Sequence, residues 1–469
     1  MTRTSRRPRR RSRRRLLAWV GGVLVVALAA GAAAAYQTGR LDTWLGNEEA
    51  PIAAPVHGFT APDMPTPRPV ARPAKSVRPS RSAVRRGLAA ALADPHLADL
   101  RAVVAPLDGR PVLDLGHGPS TPASTLKLLT ATAALEALGP DRTFATRVVA
   151  DGRRGLVLVG GGDPFLASTQ PTSGPARHDA SLQTLARLTS RELRASGDRS
   201  VRLDYDTSLF TGPRVDPHWP KSYLPDVVSP ITALWADQGR DPDGDGRVSD
   251  PPATAARLFA SYLEKRGVEV RPKIVRTSAP DGSREIARVT SPPVASIVER
   301  VLQVSDNEGA EVLAHQVGVA VEGDGSFSGG VRGVTDTLGR LGIELPDAKI
   351  QDGSGLSRHD RLDAETLVQV LQLAASGDHP ELRSVITGLP VAAYDGSLGY
   401  RFDDSPGRGL VRAKTGTLTG TSALAGITTD ARGRALVFAF VSNHVRYAET
   451  LDTRAALDRL ASALATCRC

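Results

Sequence analysis

Lysine is scarce in this chain, which carries 52 Arg and seven Lys. Two of the lysines sit in short patterns that could do chemistry. Ser124-Thr125-Leu126-Lys127 is a Ser-x-x-Lys at the start of a predicted helix over Thr125–Leu138. Positions i and i+3 share a helical face, so the lysine head can reach the serine hydroxyl. A serine hydroxyl is a poor nucleophile until a base takes its proton. A desolvated lysine near other cations can be neutral enough to do that, whereas arginine cannot shed its proton in a protein. Backbone N–H groups at the helix start can also face a developing oxyanion. The second lysine lies in Lys414-Thr415-Gly416, on a predicted strand, and suits a charge anchor. Between them Ser305-Asp306-Asn307 falls at the junction of two helical stretches, where polar side chains can enter a cleft. Each motif alone also fits a plain structural role, as a capped helix start or a capping loop.

Other chemistries fail on spacing. Asp241-Pro242-Asp243-Gly244-Asp245-Gly246 begins like a calcium loop, but Pro252 stands where a bidentate Glu is needed. The Gly160–Gly162 run runs into Pro164 and gives no dinucleotide fingerprint. His-Glu-x-x-His and Gly-x-Ser-x-Gly are both missing from the sequence. The two cysteines, Cys467 and Cys469, form Cys-Arg-Cys at the C-terminus, which excludes a cysteine-based metal centre. A bond between residues two apart should be strained, so a frayed tail is expected.

Three motifs in the order Ser-x-x-Lys, Ser-x-Asn, Lys-Thr-Gly form the set of the penicillin-recognising serine acyl-enzymes. The chain resembles, among these, the class C low-molecular-mass penicillin-binding proteins, the D-alanyl-D-alanine carboxypeptidase/endopeptidase (peptidase S13-like) family. Gly161-Gly162-Asp163-Pro164-Phe165-Leu166 and Asp352-Gly353-Ser354-Gly355-Leu356-Ser357-Arg358 look like accessory signatures of that family. The resemblance implies Ser124 as acylated nucleophile, Lys127 as its base, Ser305 as proton relay to the leaving amine, and Asn307 as a holder of the substrate amide and of Lys127. It further implies that Lys414 with Thr415, Gly416 and Thr417 binds the peptide and its carboxylate. The N–H groups of Ser124 and Thr417 would form the oxyanion hole. It implies peptidoglycan stem peptides as substrates, β-lactams as inhibitors, and no cofactor. A serine β-lactamase or a catalytically silent wall-binding protein would keep the same motifs.

The elements that must position these residues follow from pattern. Val103–Leu107 and Pro111–Leu115 flank Asp108-Gly109 and predict a hairpin. Gly155–Val159, Val411–Ile427 and Ala435–Ser442 are strand-like, the last two joined through Thr429–Arg434. Val294–Gln303, Glu308–Ala320, Ala364–Ala375 and Tyr447–Ala465 are helix-like. The fold class expected is α/β (α+β): a transpeptidase/β-lactamase-like domain with an antiparallel sheet flanked by helices, split by an inserted domain. The stretch between Ser124 and Ser305 looks shorter than in family members with two nested insertions, so one insert is expected. The boundaries read as 83–165 for the first part, 166–286 for the insert and 287–469 for the second part.

Ahead of the globular part lie three distinct segments. The 469-residue chain has a formal net charge of +9, and residues 1–15 hold nine Arg and no acid, so the remainder is close to neutral. Basicity therefore says nothing of nucleic acid, and no nucleic-acid partner is expected. Leu16–Tyr36 is uncharged and, at about 1.5 Å per residue, long enough to cross a hydrocarbon core of about 30 Å. With Arg on its N-terminal side it predicts a single-pass anchor with the catalytic part outside the cytoplasm, or a cleaved signal segment and secretion. Eight prolines between Pro51 and Pro79 make residues 37–82 a stiff spacer.

Overall fold

The computed structural model describes residues 78–170, 180–242 and 244–469. The expected tail, membrane segment and most of the spacer lie outside the described residues. Among the described residues, no helix is long and apolar enough to cross a membrane.

In chain order the elements are α1 (Arg81–Leu92), β1 (Leu100–Pro106), β2 (Leu113–Leu115), a 3₁₀ turn (Ala123–Leu126), α2 (Lys127–Leu138), β3 (Ala145–Ala150) and β4 (Gly155–Val159). There follow α3 (Leu182–Ala195), β5 (Ser200–Asp206), α4 (Pro251–Glu264), β6 (Glu269–Val270), β7 (Glu285–Thr290), α5 (Val294–Val304), α6 (Asn307–Glu322) and α7 (Phe327–Arg340). The chain closes with α8 (Ala364–Ala375), α9 (Arg383–Thr387), β8 (Arg412–Leu418), β9 (Thr421–Thr429), β10 (Ala435–Asn443) and α10 (Thr450–Thr466).

The first sheet has the order β2-β1-β10-β9-β8 and is antiparallel throughout. Period-two alternation lets one strand feed two cores. Val103 and Ala105 of β1 join the cluster under α2, α5, α6 and α8, whereas Ala102 and Val104 pack with α1 and α10. With helices on both faces, β10 reads as an almost continuous apolar run (Leu436–Val441). Helix α2 lies at the centre of the helical layer against α5, α6, α7 and α8. Residues Lys127–Leu135 are all buried, as an apolar helix without a polar face must be.

A second sheet, order β6-β5-β4-β3-β7, is mixed: β3 pairs antiparallel with β4 and β7, while β4–β5 and β5–β6 are parallel. It packs with α3 and α4 around its own core of Val148, Leu158, Leu185, Leu203 and Phe259. The chain run between the first and second motifs therefore enters this sheet at Ala145, well before residue 166.

Two sequence expectations need correction. The single strand expected over Val411–Ile427 is two, β8 and β9, paired from Arg412↔Ile427 to Leu418↔Thr421. The reversal falls at Thr419-Gly420, where Gly420 takes φ 89°, a turn signal hidden in a run of β-formers. The C-terminal cysteines are not a frayed tail. Cys467 and Cys469 are bonded to each other and buried in the cluster with Val84 and Leu88 of α1. The backbone is tied down as well, Ala431 N–H donating to Cys467 O at 3.0 Å and Ser80 N–H to Cys469 O at 3.3 Å.

Candidate active site

All three motifs converge where the 3₁₀ turn, the α5–α6 junction and β8 meet. Ser124 sits in the 3₁₀ turn rather than in the first turn of the helix, which starts at Lys127. Ala123, just ahead of it, holds φ 48°. The turn is pressed between two glycines. A Cβ on Gly355 would lie 2.0 Å from Ala123 O, and one on Gly416 2.8 Å from Pro122 O. Thus β8 and the Asp352–Arg358 signature clasp the serine's backbone from two sides.

Lys127 is fully buried, and its ammonium has three partners for three donors. Nζ donates to Ser124 Oγ (3.1 Å), Asn307 Oδ1 (2.8 Å) and Ser354 O (2.7 Å). Burial pushes its pKa down to about 8, against the opposing pull of Asp352, Glu311, Asp306 and Glu308. Ser124 is the one partner of the three that can also donate. When Nζ sheds a proton, the two carbonyl oxygens keep its two N–H groups and its lone pair is left to the serine hydroxyl. Such an arrangement is chemically able to activate a serine hydroxyl.

Ser305 ends α5 in the left-handed region (φ 61°), a C-terminal position usually given to glycine. Its hydroxyl accepts from Lys414 Nζ at 2.8 Å, which also donates to Thr415 O at 2.8 Å. Lys414 is fully buried, and burial first, then the charges of Lys127 and Arg401, hold its pKa well below the usual lysine range. Asp306 is both linker and cap: Oδ1 accepts Gly309 N–H at 2.8 Å to start α6, and Gln238 Nε2 reaches both oxygens at 2.9 Å. Asn307 follows at the first position of α6, with Nδ2 toward Val227 O at 3.4 Å. Thr415 Oγ1 donates to Ser397 Oγ at 2.9 Å, and Thr417 is exposed near the end of β8, the sheet's edge strand.

Sequence reasoning assigned no role to several residues that build this site. Asp352 is buried and accepts N–H groups of Ser354, Gly355 and Ser357 and Nε1–H of Trp219, folding the turn that aims Ser354 O at Lys127. Glu308 anchors α6 to the loops that carry Ser229 and Arg247, through Arg247 (2.7 Å) and Ser229 N–H (3.2 Å). Asp163, inside Gly161–Leu166, is buried with its pKa raised to about 7 by burial, and it takes Phe165 N–H at 2.8 Å. Ser354 was within reach of sequence reasoning, since it lies inside the Asp352–Arg358 signature. Glu308 and Gln238 carried no local signal.

A serine hydroxyl beside a buried lysine of lowered pKa, with a second buried lysine hydrogen-bonded to another serine, is the arrangement of a serine acyl-enzyme of the penicillin-recognising class. The chain belongs to the D-Ala-D-Ala carboxypeptidase 3 (S13) family, whose profile matches residues 84–242 and 245–464. It is similar to a carboxypeptidase of Mycobacterium tuberculosis, 37% identical over 407 residues, covering 83% of this chain and 85% of the relative. It is also similar to carboxypeptidase DacB of Mycolicibacterium smegmatis, 36% identical over 461 residues, covering 95% and 96%. In fold it matches the crystal structure of penicillin binding protein 4 of Haemophilus influenzae with a TM-score of 0.69 at 22% identity, covering 81% of this chain and 97% of that one. The protein is thus a serine-type D-Ala-D-Ala carboxypeptidase, a penicillin-binding hydrolase.

Proposed function

We propose that Ser124 is the acylated residue and Lys127 its general base, acting on peptidoglycan stem peptides that end in D-Ala-D-Ala. The single observation that carries this is the Nζ of Lys127, held by two carbonyl oxygens so that its remaining position faces Ser124 Oγ. The peptide carboxylate docks at Lys414 and Thr415. Ser124 Oγ attacks the penultimate carbonyl carbon as its proton passes to Lys127. The N–H groups of Ser124 and Thr417 receive the oxyanion. Ser305, hydrogen-bonded to Lys414, passes a proton to the departing D-Ala amine, and Asn307 holds the substrate amide. Water then attacks the ester, and the acid product leaves with Ser124 regenerated. A β-lactam presents a carboxylate and a strained amide to the same groups and acylates the same oxygen. Cross-links with a D-centred peptide bond offer the same carbonyl, so endopeptidase cleavage belongs to this reading.

The insert of this reading, expected over 166–286, takes in the whole second sheet from 145 to 290, and residues 16–36 hold the enzyme at the outer face of the membrane or, if cleaved, direct its secretion. Intact mass spectrometry with benzylpenicillin tests the nucleophile. A persistent adduct mapped to Ser124, absent in Ser124→Ala, is expected. Release of D-Ala from a pentapeptide by Ser124→Ala at the wild-type rate would sink the assignment, and rapid turnover of the penicillin adduct would favour a β-lactamase.

A further inference from the structure

The two carbonyl oxygens that hold Lys127 come from separate parts of the chain. Asn307 opens α6, and Ser354 lies in the turn folded by Asp352. Glu311 spans them. It stands one helical turn beyond Asn307 and so shares its face of α6. Fully buried, it accepts Gly353 N–H on Oε2 at 3.0 Å, at the residue just before Ser354. The carbonyl of the same Gly353 accepts Thr130 Oγ1 at 2.7 Å, on α2 one turn after Lys127. Helices α2 and α6 and the turn are therefore joined at one glycine. The fit is close: a Cβ on Gly353 would lie 2.5 Å from Ala314 Cβ and 3.0 Å from Ala310 O.

Two buried polar atoms remain unmatched here, Glu311 Oε1 and Ser354 Oγ. The Ser354 hydroxyl is near enough to bear on the ionisation of the carboxyl. Around Glu311 stand Lys127 on α2, Asp352 in the turn and, further along that loop, Asp360; around Lys127 stand Asp306 and Glu308 at the start of α6 and Lys414 on β8. Burial first, then the Asp352 charge, raises the Glu311 pKa well above the usual carboxylate range, against the nearby Ser354 hydroxyl, the Gly353 N–H bond and the charge of Lys127. A carboxylic acid has one donor and one spare acceptor. Those suit the Ser354 oxygen on one side and Gly353 N–H on the other.

We propose that Glu311 is a positioning residue for the base: its carboxyl group ties α6 to the Gly353–Ser354 peptide and so fixes both carbonyl acceptors of Lys127, leaving Nζ open toward Ser124 alone. It acts through Lys127 and touches no substrate. The inference rests on the reading of Ser124 and Lys127 as nucleophile and base.

The test follows acylation of the full-length enzyme by benzylpenicillin as a function of pH, with kcat and KM for a D-Ala-D-Ala peptide alongside. Glu311→Met, close in shape but unable to bridge, is expected to slow acylation about a hundredfold, to lower kcat with KM kept, and to displace the acid limb. Glu311→Gln retains a donor and an acceptor, and should recover all but about threefold of that loss and restore the limb. Acylation by Glu311→Met at the wild-type rate overturns the proposal, as does Glu311→Gln remaining as slow as Glu311→Met. Should the Met variant not fold, Glu311→Asp, which draws the acid back from Gly353, replaces it with an expected loss of about tenfold in kcat. An Asp variant equal to wild type overturns the proposal. Failure of the underlying reading is seen separately, as a wild-type enzyme that forms no Ser124 adduct.

Discussion

Among the described residues Lys127 and Lys414 are the two fully buried lysines, in a chain that otherwise prefers arginine, and in the proposed mechanism each changes protonation state. Lys127 must be neutral to accept the Ser124 proton. With its pKa at about 8, acylation should climb about tenfold per pH unit below that value and level off above it. Stopped-flow acylation between about pH 5 and 9 reads this directly, and a flat profile would remove Lys127 as the base. Lys127→Arg keeps a charge that cannot be shed, so acylation should fall by about 10³ or more. Lys414 starts well below its usual range because it is buried beside other cations. An arriving carboxylate supplies the missing counter-charge and raises it. Binding of a carboxylate ligand should therefore take up protons between the free and the bound pKa of Lys414, seen as buffer-dependent heats in calorimetry.

Elements position these side chains through a few backbone approaches that allow no slack. Gly355 has φ +77° and its α-carbon faces Ala123 O, so Gly355→Ala must push the 3₁₀ turn away from Lys127. The variant should lose most acylation, by about 10²-fold, while far-UV circular dichroism changes little. Another element carries a pH signature. Asp163, just after β4, is raised to about 7, so the folded protein holds a proton that the unfolded chain releases near 3.8. Its contribution is most favourable at low pH and is lost as pH rises through about 7. Between about pH 5 and pH 8 the wild type should lose on the order of 2 kcal/mol from this group, and Asp163→Asn should not. Urea unfolding of both at the two pH values decides it, an identical pH dependence counting against the argument. Helix α7 is the element the sequence hid best. No element was expected over these residues, and Gly330 is what lets the helix close on α6, where a Cβ would meet Ala314 O at 2.9 Å.

At the scale of the whole molecule, the first sheet is closed from both ends of the described chain. Helix α1 and α10 cover the same face, and the Cys467–Cys469 tail lies over Val84 and Leu88. Ending the chain at Thr466 uncovers that apolar patch and removes the acceptors of Ala431 and Ser80. The truncated enzyme should melt lower by on the order of 3 °C with its acylation rate unchanged, as a calorimetric scan with a penicillin assay would show.

The candidate site was legible in the sequence because its motifs depend on residue type and local spacing: Ser124 with Lys127, Ser305 with Asn307, and Lys414 with Thr415. The hairpin at Asp108-Gly109 and helices such as α8 were legible for the same local reason. What no local pattern could supply was which distant atoms would meet. Ser354 O reaches Lys127, and Glu311 reaches Gly353, only after α2, α6 and the Asp352 turn pack together, and the second sheet gathers β5 and β6 beside β4 across long separations. Burial decides protonation, and burial is a property of packing. The sequence could therefore point to Lys127 as the candidate base, while the depth that lowers its pKa belongs to the tertiary structure.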